Sequence, residues 1–273
     1  MKNNTVNQIM ILALILFSAS GCSEKIELEL DGMDSRLVID ARVTNIPEHN
    51  RVLLQSSSPY LANEPAEPLE GALVRLLTDK SVWYLQEKEA GEYVFPEEFA
   101  GEAPSVYVME VETVDGVYRA ESAIKEAIPL DSISVRPHPW LADHHELLIH
   151  FQDPPGEVNH YMWRVYKNDV LLTDSISKVP FADSEAFSGR YVRVPIYIMQ
   201  PEDGIPEAGD RLRVEQYRIT EAYFHFLVAL RRNQGAAGGP FVGPPSNIPS
   251  NFDRQALGFF MTATVTSSST TVR

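Results

Sequence analysis

Short runs of alternating or β-branched apolar residues, each stopped by a turn signal, recur along most of this chain and confine it to a mostly β architecture. Leu37-Val38-Ile39-Asp40-Ala41-Arg42-Val43 stops at Asn45-Ile46-Pro47, and Arg51-Val52-Leu53-Leu54 stops at Ser56-Ser57-Ser58-Pro59. Ala72 to Leu77 and Ser81 to Leu85 flank Asp79-Lys80, a hairpin turn. Tyr107, Met109, Val111 and Thr113 share one face of the next run, and Asp115-Gly116 turns it into Val117-Tyr118-Arg119. Asp-Gly suits a type I′ turn, whose two central residues need positive φ. About seven strands without helical periodicity predict a small β-sandwich over residues 35–127.

Ile128-Pro129-Leu130-Asp131 marks the hinge into a second unit, residues 128–266. Its expected strands are Glu146 to Phe151, Tyr161 to Tyr166, Val170 to Ile176, Tyr191 to Met199 and Arg211 to Ile219, with a hairpin at Asn168-Asp169. Ser177 to Gly189 reads as a long polar loop. A single amphipathic helix is expected over 220–233. Thr220 is its N-cap and Glu221 lies in its first turn. Tyr223, Phe226, Leu227 and Leu230 form a core-facing stripe, and Arg231 and Arg232 lie near its end. Ala256 to Val265 reads as the last strand and 267–273 as a flexible tail. The fold class is therefore mostly β: two β-sandwich domains with one C-terminal amphipathic helix before the last strand. The first is similar to transthyretin-type and carboxypeptidase-regulatory-type sandwiches, the second to immunoglobulin-type and fibronectin-type ones.

The N-terminus says where such a chain goes. Lys2 precedes the apolar run Ile9 to Phe17, then come Ser18-Ala19-Ser20-Gly21 and Cys22, the only cysteine. The run is too short for a permanent transmembrane helix and fits the apolar region of a signal peptide. Small residues ending in Gly before a Cys let a lipoprotein signal peptidase reach the backbone. The segment resembles a bacterial lipobox, with Ala19 where Leu is usual; the alternative is an ordinary secretory peptide and a chance Cys. The expectation is a lipoprotein signal peptide over 1–21, lipidation at Cys22 and an acidic tether over 22–34 carrying Glu24, Glu27, Glu29 and Asp31. Ile26, Leu28 and Leu30 alternate with these charges, so a first strand is equally allowed there. Ser23 is not the Asp that often retains lipoproteins at the inner membrane. Acidic starts of this kind resemble surface-export signals, so an outer-membrane anchor is expected, surface-exposed in preference to periplasmic.

Charge excludes some partners. With 38 acidic and 23 basic residues, a net charge of −15, the chain lacks a basic footprint for nucleic acid or anionic lipid. Acyl chains on Cys22 would supply the membrane affinity. No thiol then remains for disulfides, metal or nucleophilic chemistry.

Asp143-His144-His145-Glu146…His150 is the one cluster that invites a metal reading. A zincin needs histidines four apart on a helix, and the fourth residue after His145 is Ile149. Read as a strand, Leu147, Ile149 and Phe151 face inward, and His144, Glu146, Leu148, His150 and Gln152 outward. His144 and His150 would lie about 20 Å apart, too far to share a metal. No metal, cofactor or catalytic residue is expected, for there is also no Gly-x-Ser-x-Gly elbow and no Gly-rich phosphate loop. Trp163, alternating with Tyr161 and Val165, is expected in the core. Trp140, between Pro139 and Leu141 in a loop, is the better candidate for an exposed binding aromatic. The long Gly/Pro-rich loop Gly235–Asn251 is a second candidate contact, with Phe241 and Val242 as anchors. Its alternative is a packed Ω-type loop, with Phe241 and Ile248 tucked onto the second sandwich.

Several of these residues together resemble a family. They are the lipobox, Arg36-Leu37-Val38-Ile39, Gly91-Glu92-Tyr93 with Gly101 and Tyr107, and Asp153-Pro154-Pro155 with Tyr161. The ending Phe241…Pro244-Pro245-Ser246-Asn247-Ile248…Ala256-Leu257-Gly258-Phe259-Phe260 carries most of the likeness. They resemble an outer-membrane lipoprotein family of the Bacteroidetes catalogued as domain of unknown function 4249. The resemblance implies genes beside TonB-dependent receptors that import large nutrients, and it brings no catalytic residues. It implies a non-enzymatic accessory protein of such an uptake system, with a TonB-dependent receptor as partner. The alternatives are a secreted metal-dependent hydrolase using His144–His150 and a stand-alone carbohydrate- or peptide-binding module using Trp140.

Overall fold

Burial alternates along several strands of the N-terminal half, as the sequence pattern requires. The computed structural model describes residues 36–57, 66–235 and 248–272. Leu37–Thr44 (β1) turns Ile39, Ala41 and Val43 into a core and leaves Asp40 outside. Seven further strands complete the N-terminal half: Arg51–Ser56 (β2), Leu73–Leu77 (β3), Val82–Tyr84 (β4), Gln86–Glu89 (β5), Glu92–Val94 (β6), Ser105–Thr113 (β7) and Gly116–Ile124 (β8). The C-terminal half begins with Ser132–Pro137 (β9), His145–Gln152 (β10), His160–Lys167 (β11) and Val170–Leu171 (β12). Phe181–Asp183 (β13), Tyr191–Met199 (β14), Arg211–Ile219 (β15), the helix Glu221–Gly235 (α1) and Leu257–Thr271 (β16) follow. The fold is mostly β, with a helix before the last strand, as the sequence predicts.

The strands form one large sheet and two small ones. The large sheet has the order β12-β11-β15-β16-β1-β2-β6-β5, with β13 also paired to β11; the small sheets are β4-β3-β7-β8 and β14-β10-β9. One core lies where Ile39, Val52 and Tyr93 of the large sheet meet Leu76, Met109 and Ala120. A second lies where Trp163, Val165 and Val214 of the same sheet meet Ile133, Ile149 and Val192. The hinge expected near residue 128 is thus a change of facing sheet. Ile128 and Leu130 enter the second core while the large sheet runs on.

Strand β16 joins the two ends. It pairs in parallel with β1 from Val38↔Leu257 to Thr44↔Ala263, then antiparallel with β15 from Ile219↔Ala263 to Arg211↔Thr271. Ala263 is paired to both. Most of the segment expected as a flexible tail, 267–273, is therefore strand as far as Thr271. Its Ser/Thr composition offers no apolar stripe, yet the backbone ladder to Arg211–Glu215 holds it.

Two turns illustrate what sequence signals do and do not settle. Asn168 and Asp169 have φ of 48° and 63°, as a type I′ hairpin requires. At the other hairpin Thr113 pairs with Gly116, so the loop is Val114-Asp115 and the positive φ, 128°, falls on Gly116 alone. Elsewhere, Val170 to Ile176 is strand only at Val170–Leu171, and the polar stretch 177–189 contains β13.

The helix starts as expected, with the Thr220 hydroxyl accepting the Tyr223 N–H at 3.2 Å. It covers the outer face of the large sheet, where Leu227 is buried beside Met162, Tyr217, Ile219 and Met261. Tyr223, Phe226 and Leu230 are half-buried.

Candidate functional site

The hairpin of β9 and β10 holds Trp140 in the solvent. His145 pairs with Pro137, the His138 N–H bonds the His144 carbonyl at 2.8 Å, and residues 139–143 form the tip. Asp143 closes it with φ 58°. The His138 side chain organises the tip. Its Nδ1 accepts the N–H groups of Trp140 at 3.2 Å and Leu141 at 3.1 Å. Because Nδ1 accepts, the ring proton of neutral His138 sits on Nε2, 3.7 Å from Glu146 Oε1. Arg136 in turn sends both Nε and Nη2 to Glu146 Oε2 at 2.6 Å. Glu146 is only 6% exposed, whereas Trp140 is 86% exposed and Leu141 46%. A buried, charge-assisted group thus fixes the stem that presents an exposed aromatic.

Trp140 therefore stands in the exposed loop assigned to it from sequence. Cys22, Phe241 and Val242 lie outside the described residues, as do the acidic tether and most of the loop Gly235–Asn251. Trp163 is in the second core, its Nε1 donating to Gln216 Oε1 at 3.0 Å. The face of β10 expected to be solvated needs correction, because Glu146 and Leu148 are both buried. Leu148 pairs in the sheet with Ser134 on one side and Pro195 on the other. His150 bonds Ser134 Oγ at 2.8 Å, and burial followed by the charge of Arg193 lowers its pKa. Among the described residues no three His, Cys, Asp or Glu side chains gather as a metal-ion group.

Sequence inspection missed a second polar cluster, on the outer face of the large sheet. Glu215, 3% exposed, accepts hydrogen bonds from Tyr217 Oη at 2.9 Å, from Tyr166 Oη at 3.1 Å and from Arg213. His49, in the turn after β1, lies with Nδ1 3.1 Å from Tyr217 Oη and Nε2 3.8 Å from Glu215. Neutral His49 donates from Nδ1 to the Tyr217 oxygen, whose own proton goes to Glu215. The Glu215 oxygens are engaged by these donors, which suits a structural tie better than proton transfer. Arg213, Glu215 and Tyr217 share β15, the register of β11 adds Tyr166, and the turn after β1 adds His49.

Burial lowers the His49 pKa below 6.5; Glu215 opposes this, while Arg164 and Arg42 add to it. The folded state therefore disfavours the proton that the unfolded chain accepts. The His49 contribution to stability is full above pH 6.5 and is lost as the pH falls below it. His150 and His160 are shifted the same way, so the comparison must isolate one group. His49→Gln is expected to flatten the dependence of melting temperature on pH between about 6.5 and 5. An unchanged slope would remove His49 from the account.

The family comparison matches residues 23–269. No curated protein matches the chain. Since that match spans both cores, the hairpin carrying Trp140 and the cluster around Glu215, the chain belongs to the family described as domain of unknown function DUF4249.

Proposed function

We propose that this chain is a lipid-anchored accessory protein of the outer membrane, on its cell-surface side. In this reading it binds or assembles with a TonB-dependent receptor of a nutrient-uptake system and has no catalysis of its own. The observation that carries the reading is the presentation of Trp140, 86% exposed on a hairpin stem ordered by His138, Glu146 and Arg136. A rigid aromatic with a polar ring N–H loses little conformational freedom on docking and is a favoured centre of protein contacts. Acyl chains on Cys22, to which the lipobox points, supply the membrane affinity that an acidic body lacks.

The test uses tagged full-length protein cross-linked in cells and fractionated. Wild type is expected in the outer membrane together with a TonB-dependent receptor. Cys22→Ala should be unprocessed or soluble. Trp140→Ala should keep its melting temperature and membrane location yet lose receptor recovery by about tenfold or more. Quantitative recovery of Cys22→Ala in the outer membrane would refute the anchor; full receptor recovery by Trp140→Ala would refute the contact.

A further inference from the structure

The second sandwich does not close where β14 faces β13. A cavity of about 370 Å³ opens there, its inner wall made by Phe151 and Trp163. The geometry of β14 is fitted to this wall. Leu147 pairs with Tyr197 and Leu148 with Pro195, so Ile196 is an extra residue in the ladder. Along a regular strand one of the consecutive residues Val194, Pro195 and Ile196 would turn away. With the bulge all three line the cavity. An edge strand is also where a proline such as Pro195 is tolerated.

One cation lies against this apolar wall. Arg231, from α1, donates through Nη2 to the carbonyls of Ile176 at 3.3 Å and of Val179, and its Cζ lies 3.9 Å from the Phe181 ring centre. Its Nε is buried without a hydrogen-bond partner, and no carboxylate of the described residues pairs with it. Lys178, also at the cavity, is already paired with Asp174 at 3.4 Å. Backbone carbonyls satisfy part of the guanidinium but leave its charge uncompensated, a costly arrangement beside an apolar surface. A ligand bringing an anionic group would complete it.

We propose that this cavity binds a small organic anion, an aryl or branched alkyl body carrying one carboxylate that faces Arg231. At roughly 30 Å³ per small group the space holds a ligand of about a dozen non-hydrogen atoms. The site is separate from the receptor contact at Trp140, and either can fail without the other.

The probes are 4-phenylbutyrate and its uncharged counterpart 4-phenylbutan-1-ol, titrated calorimetrically into the full chain in detergent, with empty micelles as blank. The acid is expected to bind at least about tenfold more tightly than the alcohol. Arg231→Met should bring the acid down to the affinity of the alcohol, and Arg231→Lys should restore part of the difference. Val194→Phe, at a position 40% exposed and so able to take a larger side chain, should weaken both probes. A diazirine derivative of the acid, cross-linked to wild type and mapped by mass spectrometry, should label only peptides that carry the cavity lining, residues 177–196 and those with Phe151, Trp163 or Arg231. This locates the site even if a variant fails to fold. Equal binding of acid and alcohol, no saturable binding, or labelling elsewhere in the chain would overturn the proposal.

Discussion

Gly258→Ala is expected to destabilise the protein by about 3–5 kcal/mol, a large part of the stability of an ordinary domain. Gly258 faces Ile39 in the parallel ladder of β1 and β16, with φ +87°. A Cβ there would stand 2.1 Å from the Ile39 carbonyl oxygen and 2.7 Å from its carbon. Backbone cannot swing aside as a long side chain can, so β1 itself would have to move. That strand contributes Ile39, Ala41 and Val43 to the first core, which makes the displacement expensive. Gly156→Ala is the control. Gly156 also has positive φ, +98°, but nothing lies within 4 Å of its would-be Cβ. It should cost only the backbone term, about 1–2 kcal/mol. Urea denaturation of the two variants measures the difference, and equal losses would mean that β1 and β16 are not paired in this register.

Asp153→Ala should cost a comparable amount, about 3–5 kcal/mol, by breaking a buried polar network. Asp153 has no exposed surface. Its Oδ1 accepts from Tyr161 Oη and from Asn159 Nδ2 at 3.3 Å, and its Oδ2 accepts the Gly189 N–H at 3.3 Å. Asn159 Oδ1 passes the chain of bonds on to Arg218 at 2.6 Å, and Arg218 reaches the Glu126 carbonyl at 2.9 Å and Glu157. Truncation leaves the fully buried Tyr161 hydroxyl and a backbone N–H without acceptors, each a loss of about 1–3 kcal/mol. Burial and Asp153 both raise the Tyr161 pKa, so the phenol stays the donor. Asp153→Asn with Tyr161→Phe should lose less than the sum of the single changes, because both act on one bond. Additive losses, or an Asp153→Ala variant within about 1 kcal/mol of wild type, would show the network to be energetically slack.

The family-like residues were legible as a pattern before their reasons were. Gly258 stood out within Ala256-Leu257-Gly258-Phe259-Phe260, but the backbone that forbids a side chain there belongs to β1, more than 200 residues earlier in sequence. Asp153-Pro154-Pro155 entered only as part of the family likeness. Its carboxylate acts at a distance, and Pro155 meets Gly189, where an added Cβ would come within 3.1 Å. Two long strands rich in β-branched and aromatic residues, Tyr191–Met199 and Arg211–Ile219, were found to the residue. Gln86–Glu89 was not, since all four of its residues are exposed and backbone pairing with β6 places it in the sheet. Trp140 was legible because Pro139 and Asp143 break the strand pattern around it. The clamp beneath it was not, because Glu146 is buried by Arg136 and His138 from the opposite strand. The same limit hid the Glu215 cluster and the cavity. Each is assembled by register and bulge, and neither leaves a local trace.

The parallel pairing of the first and last strands of the described chain governs how the molecule bears load. A pull on the Leu37 end of β1 against the Thr271 end of β16 slides one strand along the other. The ladder from Val38↔Leu257 to Thr44↔Ala263 then carries the tension in shear, its bonds sharing the strain instead of opening one by one like a zipper. Beyond Ala263 the tension passes into β15, so both cores resist through one strand. Force applied between these two ends thereby runs along the paired strands and not across them.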